Sequence, residues 1–277
     1  MEIRFAPDPV SSERLTTEEV RKHFVAGSLF QKDAVNLIYS DVDRAIIGGI
    51  VPVTGPLPLL ASKKELAADY FCERREAGVI NTGGAGIIRV DGTDHRVEKY
   101  DVLYIGKGSR EVLFSSVSPA DPAHFFLMSY PAHAAYPVTL ATFKDAEPQH
   151  LGSQKDANMR TIYKYIHPNG VKSCQLVMGM TMLKEGSIWN TMPSHTHLRR
   201  SEVYLYFDLP PEAMVVHLMG EPQKTRNIIM RNRQAVISPS WSIHSGAGTT
   251  NYSFVWAMGG ENQEFGDMDM IPTKDLL

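Results

Sequence analysis

Hydrophobic residues occur along this chain in short runs, and residues that favour turns separate the runs. Runs such as 102–105, 112–115 and 235–238 are too short for a stable helix and are rich in β-branched and aromatic residues, which favours strands. The dipeptide Asp91-Gly92 follows one of these runs and is typical of a hairpin turn. This pattern predicts an all-β protein.

The predicted strands form two groups on either side of a polar segment, 142–157, which we interpret as an inter-domain linker. The first group comprises 36–39, 45–53, 78–81, 87–90, 102–105, 112–115 and 124–128. The second comprises 173–183, 202–209, 213–219, 226–230, 235–238 and 252–258. We therefore expect an N-terminal domain in 1–141, a connecting segment in 142–172 and a C-terminal domain in 173–277.

One helix is predicted near the N terminus, at residues 16–25. Thr16 and Glu19 have the spacing of a capping box, and Val20 and Phe24 supply one apolar face. We expect this helix to lie at the periphery of the fold.

Composition narrows the class of protein. With 277 residues, 43% of them hydrophobic and 21% charged, the chain is long enough for a packed core and typical of a soluble protein. The net charge of −3 provides no basic surface for nucleic acid. No apolar run approaches the ~18 residues of a membrane helix. The first residues do not resemble a signal peptide, so we expect a cytoplasmic protein, and the two cysteines, Cys72 and Cys174, to be free thiols.

Three histidines and a glutamate have the spacing of a metal site. Side chains at i and i+2 of a strand leave the same face, so His195 and His197 can point at one ion. Glu202 joins them if a turn at 198–201 starts a new strand, and His244 lies in a second motif some forty residues later. Taken alone, a His-x-His pair is more often an ordinary hydrogen-bonded pair, but the four residues together predict a metal centre.

The order of these residues resembles the metal motif of the cupin barrels, which is His-x-His, a Glu and a distant Pro-x-Gly-x-x-His. Pro239 and His244 match the last part, whereas Trp241 stands where the motif usually has Gly. The resemblance implies a bicupin: two tandem cupin-type β-barrels with a few short peripheral helices.

The two halves of the chain can be aligned as diverged copies, with Glu76 placed on Glu202 and residues 106–108 placed on 239–241. The positions that match His195, His197 and His244 are then Asp69, Phe71 and Glu111. The first barrel therefore lacks the ligand set, unless the similarity is a chance consequence of two β-rich halves.

Longer runs resemble one family more closely. Residues 74–86, 189–197, 234–246 and 260–263 are similar to those of 5-keto-4-deoxyuronate isomerases, also called 4-deoxy-L-threo-5-hexosulose-uronate ketol-isomerases. The resemblance spans the whole chain. It implies one zinc ion in the second barrel, a homohexamer, and conversion of 5-dehydro-4-deoxy-D-glucuronate to 3-deoxy-D-glycero-2,5-hexodiulosonate in the breakdown of pectin and related polyuronides.

The ligand set suits such chemistry. Moving a proton from C2 to C1 of an aldose passes through an enediolate, whose charge a divalent ion can stabilise. Three imidazoles and one carboxylate leave coordination positions open for substrate oxygens. Ligand type does not choose between zinc, iron, manganese, copper and nickel, so zinc follows from the resemblance alone.

The residues around the metal are harder to identify. The substrate carboxylate requires a cation, for which we favour Arg199 and Lys164 among candidates that also include Arg160, Arg200 and Arg226. Glu261 is a candidate base, which the sequence cannot separate from a loop-capping residue. The residues Trp189, Trp241 and Tyr252 are candidates for apolar walls of the pocket.

Two other functions fit the metal motif. A cupin dioxygenase would use iron at the same four ligands, and oxygen consumption would distinguish it from an isomerase. A non-catalytic sugar-binding or storage module would bind without turnover, as unrelated functions often share one fold. A regulator of transcription is disfavoured because no helix-turn-helix pattern or basic stretch is present.

Overall fold

The computed structural model describes residues 1–277 and is built mainly from strands, with 42% of residues in strands and 9% in helices. The all-β prediction is therefore confirmed. The first twelve strands are β1 (Glu2–Arg4), β2 (Val25–Ala26), β3 (Val35–Ser40), β4 (Ile46–Ile50), β5 (Leu57–Pro58), β6 (Arg75–Asn81), β7 (Gly86–Val90), β8 (Thr93–Val97), β9 (Val102–Ile105), β10 (Val112–Ser116), β11 (Phe125–Pro131) and β12 (Thr139–Ala141).

The second twelve strands are β13 (Pro148–Leu151), β14 (Arg160–Ile166), β15 (Val177–Leu183), β16 (Trp189–Asn190), β17 (His195–Thr196), β18 (Arg200–Phe207), β19 (Val215–Met219), β20 (Arg226–Met230), β21 (Gln234–Ser238), β22 (Ser245–Gly248), β23 (Ser253–Gly260) and β24 (Asp269–Met270). The helices are α1 (Pro9–Ser12), α2 (Thr17–Phe24) and α3 (Lys63–Leu66), with 3-10 turns at Val42–Arg44, Phe71–Glu73 and Thr273–Asp275. None of these helices combines the length and apolar character that crossing a lipid bilayer requires.

The strands form two compact units whose segments alternate along the chain. The first unit comprises Met1–Arg4, Ser28–Glu147 and Tyr165–Met178, and the second comprises Phe5–Gly27, Pro148–Lys164 and Gly179–Leu277. These limits differ from the predicted boundaries at 141 and 173. The segment interpreted as a linker contains β13 and leads into β14, whose mixed polar and apolar sequence hid it from the pattern.

In the first unit, a seven-stranded sheet has the order β1-β3-β4-β11-β6-β9-β12, and a four-stranded sheet has the order β5-β10-β7-β8. The hairpin of β7 and β8 turns at Asp91 and Gly92, which both have positive φ, as the sequence predicts for a tight hairpin turn. Alternate residues of β6, among them Ala77 and Val79, enter a core with side chains such as Leu103.

In the second unit the corresponding sheets have the orders β13-β14-β15-β23-β18-β21-β2 and β16-β22-β19-β20. Strand β18 lies between β23 and β21, and all of its residues are buried. Because strand side chains alternate, Glu202 and Tyr204 leave the same face of β18. This central strand therefore fixes the position of Glu202 from both sides.

The N-terminal helix α2 belongs to the second unit. Thr16 and Glu19 form the predicted capping box, so this prediction is confirmed. Phe24 is fully buried and lies edge-on to Trp241, with 6.3 Å between ring centroids. The chain then continues into β2, where Val25 pairs with Val236 of β21. Residues from the N terminus thus complete the edge of the second unit's large sheet.

Candidate metal centre

The four residues predicted to bind metal come together in the second unit. Nε2 of His195 lies 3.0 Å from Nε2 of His197 and 3.1 Å from Nε2 of His244. Oε2 of Glu202 lies 3.2 Å from Nε2 of His197 and 2.9 Å from Nε2 of His244. All four side chains are buried, and their ligand atoms lie within 4.8 Å of one another.

Local structure explains this convergence. His195 is in the short strand β17, which pairs with β24. The backbone N–H of Arg200 donates to the carbonyl of His197, which closes the expected turn and starts β18. A second turn, in which Ser242 donates to the carbonyl of Pro239, brings His244 to the same point. Strand alternation and two turns therefore place residues that lie far apart in sequence.

The donor set fits a divalent metal ion. Four atoms in a ring with sides of 2.9–3.2 Å can all lie about 2.1 Å from a common centre, which is the usual distance from such an ion to imidazole nitrogen or carboxylate oxygen. Three imidazoles and one carboxylate are also a common ligand combination for first-row metals. The cluster can therefore bind a divalent ion, although its geometry does not identify the metal.

A hydrogen bond holds His197 in the tautomer that a metal requires, and the partner of His244 is compatible with the same tautomer. The Nδ1–H of His197 donates to the backbone carbonyl of Asp267 at 2.6 Å. Nδ1 of His244 lies 3.3 Å from the hydroxyl of Ser238. A proton on Nδ1 leaves the lone pair of Nε2 free for an ion, as is usual around bound metals.

The electrostatic environment also favours the ligand forms of these groups. Burial, together with the nearby His244 and His197, lowers the pKa of His195 to about 2, so its imidazole is neutral. Burial alone would raise the pKa of Glu202, but His244 and His197 outweigh it and hold that pKa below its ordinary value. A neutral imidazole and an ionised carboxylate are the forms that coordinate metals.

Three of the four residues, His195, His197 and Glu202, form part of the wall of a cavity of about 270 Å³. Most of the lining is apolar, and the polar contributors beside these three residues are few. The hydroxyl of Tyr204 lies 3.0 Å from Oγ1 of Thr191, and Thr181 accepts a hydrogen bond from the indole of Trp256. The remaining lining residues are Leu151, Arg160, Ile162, Met192, Pro193, Phe254, Met258, Phe265, Met268 and Met270. Arg160 is the one basic side chain among them.

The cations favoured from sequence lie outside this lining. The guanidinium of Arg199 pairs with Asp267 and Asp269, with contacts of 2.5–2.9 Å. Nζ of Lys164 lies 4.6 Å from the ring centroid of Phe265. Arg199 thus holds the C-terminal segment that covers the site. Lys164 contacts the ring of Phe265, which is itself a lining residue of the cavity.

Two further candidates for binding the substrate carboxylate have structural partners. Arg200 is buried and donates to the carbonyls of Glu264, Phe265 and Asp267. Arg226 donates to the carbonyls of Ser12, Glu13 and Leu15. Each guanidinium therefore secures a peptide segment within the second unit.

Glu261 and the three proposed aromatic walls also lie outside the cavity lining. Glu261 is exposed, and its backbone N–H donates to the carbonyl of Arg199. The aromatic walls are Tyr204, Phe254, Trp256 and Phe265 instead of Trp189, Trp241 and Tyr252. Tyr204 and Trp256 occupy strands that sequence reasoning did identify, and strand alternation from Glu202 would have pointed Tyr204 into the site.

The first unit does not repeat this arrangement. Asp69 pairs with Lys63, and Phe71 is buried in the apolar core. Glu76 is fully buried, accepts hydrogen bonds from the backbone N–H groups of residues 174–176, and accepts another from the hydroxyl of Tyr104. Glu76 therefore faces away from the core that Ala77 enters, so its placement on Glu202 is wrong by one residue.

Solved structures with the same fold have very different sequences. An IolB-like protein from Salmonella typhimurium matches with a TM-score of 0.74 at 12% identity, over 90% of this chain and 96% of that one. The oxalate decarboxylase of Bacillus subtilis matches with a TM-score of 0.54 at 9% identity, over 80% of this chain and 69% of that one. These likenesses support the bicupin fold that the cupin motif implies.

Relatives with much higher sequence identity to this chain also exist. A 4-deoxy-L-threo-5-hexosulose-uronate ketol-isomerase of Caldicellulosiruptor bescii is 52% identical over the full length of both chains, and one of Lachnoclostridium phytofermentans is 53% identical over the same extent. The family model described as KduI/IolB matches residues 36–271. The chain therefore belongs to the KduI/IolB family and is a ketol-isomerase.

Proposed function

We propose that this enzyme converts 4-deoxy-L-threo-5-hexosulose uronate to 3-deoxy-D-glycero-2,5-hexodiulosonate at the cavity of the second unit. The observation that carries the proposal is the cluster of His195, His197, Glu202 and His244, three of which line a cavity whose wall also contains the basic residue Arg160. The names of relatives that are about half identical over their full length support the substrate.

The four clustered residues would hold one divalent ion, which we propose to be zinc. Such an ion supplies Lewis acidity for a carbonyl and an adjacent hydroxyl. The side chains contribute the geometry: Glu202 is fixed by the central strand β18, and His197 by its hydrogen bond to the carbonyl of Asp267. The ligand positions therefore depend on the packed barrel and on the segment that covers it.

Arg160 is the residue we propose to bind the substrate carboxylate. It lines the cavity, and its Nη1 donates to the carbonyl of Asn158, which orients the guanidinium. A planar guanidinium matches a carboxylate with two parallel hydrogen bonds. Arg199 already has two carboxylate partners within the protein, so its charge is less available to a substrate.

The hydroxyl of Tyr204 is our candidate for relaying a proton between the substrate oxygens on C2 and C1, because burial and the nearby Glu202 raise its pKa and keep it protonated. It would give its proton to the C1 oxygen and accept the proton of the C2 oxygen, so that the hydroxyl ends unchanged. It lines the cavity and is hydrogen bonded to Thr191, which orients it. A proton-transfer group must lie within hydrogen-bond reach of the reacting atoms, and Glu261 lies outside the lining. The apolar walls around Tyr204 would exclude water and limit loss of the transferred proton.

Zinc, a homohexameric assembly, and a cytoplasmic role in the breakdown of pectin and other polyuronides complete the proposal. The resemblance of the sequence runs to this family supports each of them. Zinc also agrees with a site of three imidazoles and one carboxylate, although such a set accepts other first-row ions.

The test combines metal analysis with an assay on unsaturated-uronate breakdown products. We expect about one zinc ion per chain and conversion of the ketouronate without oxygen consumption. Oxygen uptake that accompanies turnover would instead identify an iron dioxygenase. Binding of the uronate without any turnover in the metal-loaded protein would identify a sugar-binding module.

A further inference from the structure

A second cavity, of about 340 Å³, lies in the first unit and has no part in the chemistry described above. Its lining combines basic side chains and one carboxylate with apolar side chains. The lining residues are Tyr39, Lys64, Glu65, Leu66, Ala67, Ala68, Phe71, Arg74, Arg75 and Pro131. All of them belong to the first unit.

Arg75 is the unusual member of this lining because it is buried without a carboxylate. It is 7% exposed and begins strand β6. Its Nε donates to the hydroxyl of Ser129 at 3.0 Å, and its Nη2 donates to the carbonyls of Ser129 and Arg44 at 2.8 and 2.6 Å. All of these partners are neutral, and no carboxylate lies within 4.0 Å of the guanidinium.

A buried cation without a counter-charge is costly, so its presence beside a cavity indicates an anion that the protein does not itself supply. Burial lowers the pKa of Arg75 to about 10, which still leaves the guanidinium charged at neutral pH. Nη1 makes no hydrogen bond within residues 1–277. The unused nitrogen is therefore available to an oxyanion.

The other charged residues of the lining are consistent with this interpretation. Lys64 adds positive charge, Arg74 is paired with Glu73 at 3.2 Å, and Glu65 is the one carboxylate of the lining. Glu65 is already bound by the amino group of Met1 at 2.8 Å and by the hydroxyl of Ser62 at 2.9 Å. The cavity therefore has an excess of positive charge, with Phe71 and Pro131 as apolar surface.

We propose that this cavity binds a small organic anion, with a carboxylate or phosphate group on Arg75 and an uncharged body against Phe71 and Pro131. The two oxyanions share one chemistry, because a guanidinium can donate to either. The site is independent of the metal centre and does not rest on the proposed reaction. Its function is binding, since no metal-ligand cluster lines it.

The test is calorimetric titration of the full-length, metal-loaded protein with inorganic phosphate, D-glucose 6-phosphate and D-galacturonate. We expect at least one probe to bind at one equivalent per chain, more weakly at high salt. Stronger binding of the phosphates or of the galacturonate tells which oxyanion the site prefers. Failure of all three to bind at millimolar concentration would overturn the proposal.

Variants locate the bound probe. Arg75→Gln should weaken binding at least about tenfold, the expected loss for one charge-assisted hydrogen bond. The control Arg96→Gln removes an exposed arginine of the same unit and should bind as the native protein does. His197→Ala, which alters the metal centre, should also retain binding. Full binding by Arg75→Gln, or loss in His197→Ala, would contradict the assignment.

Two outcomes concern folding and assembly. If Arg75→Gln does not fold, Arg74→Gln and Lys64→Gln become the test, and each should weaken binding several-fold. Native affinity in both would refute the site. If Arg75→Gln instead changes the oligomeric state and no probe binds the native protein, the counter-charge comes from a second copy of the chain and the proposal is wrong.

Discussion

The central strands of the two units, β6 and β18, begin with the same residue type, but their next inward-facing residues differ in chemistry. Each starts with an inward-facing arginine, Arg75 or Arg200. Matching these two residues pairs Ala77 with Glu202, and residue 105 with residue 238 through the strand ladders. The first unit thus has a methyl group where the second has a carboxylate ligand.

This difference depends on a single residue. The second unit reads Arg-Arg-Ser-Glu at 199–202, whereas the first reads Arg-Arg-Glu at 74–76. Because strand side chains alternate between faces, the extra Ser201 turns the glutamate into the barrel, and its absence turns Glu76 outward. Glu76 then binds backbone amides, while Glu202 faces three histidines. Both segments contain two arginines and a glutamate, so their composition alone does not show that the two glutamates face opposite sides.

The strongest test of this comparison replaces one residue in each unit by alanine. His197→Ala should lose more than about a hundredfold in metal affinity, since even residues that only orient ligands contribute ten- to a hundredfold, and activity should fall to background. Asp69→Ala, at the position first matched to His195, should keep its metal. Equal metal loss in both variants, measured by elemental analysis, would remove the distinction between the units.

Chelation tests whether the ion serves chemistry or folding. Activity should be abolished while the melting temperature falls only modestly, because each unit has an apolar core that does not include the ligands. Adding zinc back should restore turnover. A metal-free protein that is unfolded at room temperature by circular dichroism would show that the centre is structural.

Replacing Glu76 should lower the stability of the protein and leave its metal content unchanged. Glu76→Ala leaves one buried and two part-buried backbone amide groups and the buried hydroxyl of Tyr104 without an acceptor, so the free energy of unfolding should fall by about 3 kcal/mol or more. Tyr104→Phe removes one donor and should cost about 1 kcal/mol. Both should retain native metal content. An unchanged denaturation midpoint in Glu76→Ala would show that these hydrogen bonds contribute little.

The last test concerns the substrate carboxylate. Arg160→Ala should raise KM by the equivalent of about 1.5–3 kcal/mol and change kcat less, because this contact differs little between ground and transition states. Arg199→Ala is the matched comparison, since Arg199 lies outside the cavity lining. We expect a smaller rise in KM for it. A larger rise would assign the carboxylate to Arg199, and metal content should stay native in both variants.

The sequence predicts that His195, His197, Glu202 and His244 converge because the signals for their convergence are local. The i, i+2 spacing of His195 and His197, and the turn before β18, act over a few residues. The cavity depends instead on the segment at 262–270, which Arg199 and Arg200 hold in place by long-range contacts. No periodic pattern in that segment predicts where it folds. Arg160 begins β14, within the expected connecting segment 142–172, and no sequence pattern there points it at the cavity.

The other differences between the sequence prediction and the structure have two causes. One is the strand face on which Glu76 lies, and the other is that some strands contain few apolar residues. Glu76 and Glu202 have similar neighbours in the sequence but lie on opposite faces of their strands. The residue that matches Glu202 is therefore Ala77, one position after Glu76. Strand β8 has a polar sequence and β22 is rich in glycine, so neither shows the hydrophobic pattern of a strand. Both are specified by pairing with β7 and β19, which only the folded sheet provides.

The pairing of Val25 with Val236 has a consequence for biosynthesis. During translation, α2 and β2 leave the ribosome long before β21 exists, so the segment Phe5–Gly27 must wait without its sheet while the first unit is made. A fragment of 173–277 expressed alone would lack that edge strand and the buried Phe24. A circular permutant that joins 5–27 behind residue 277 would instead supply them at once, and should let the second unit form without waiting.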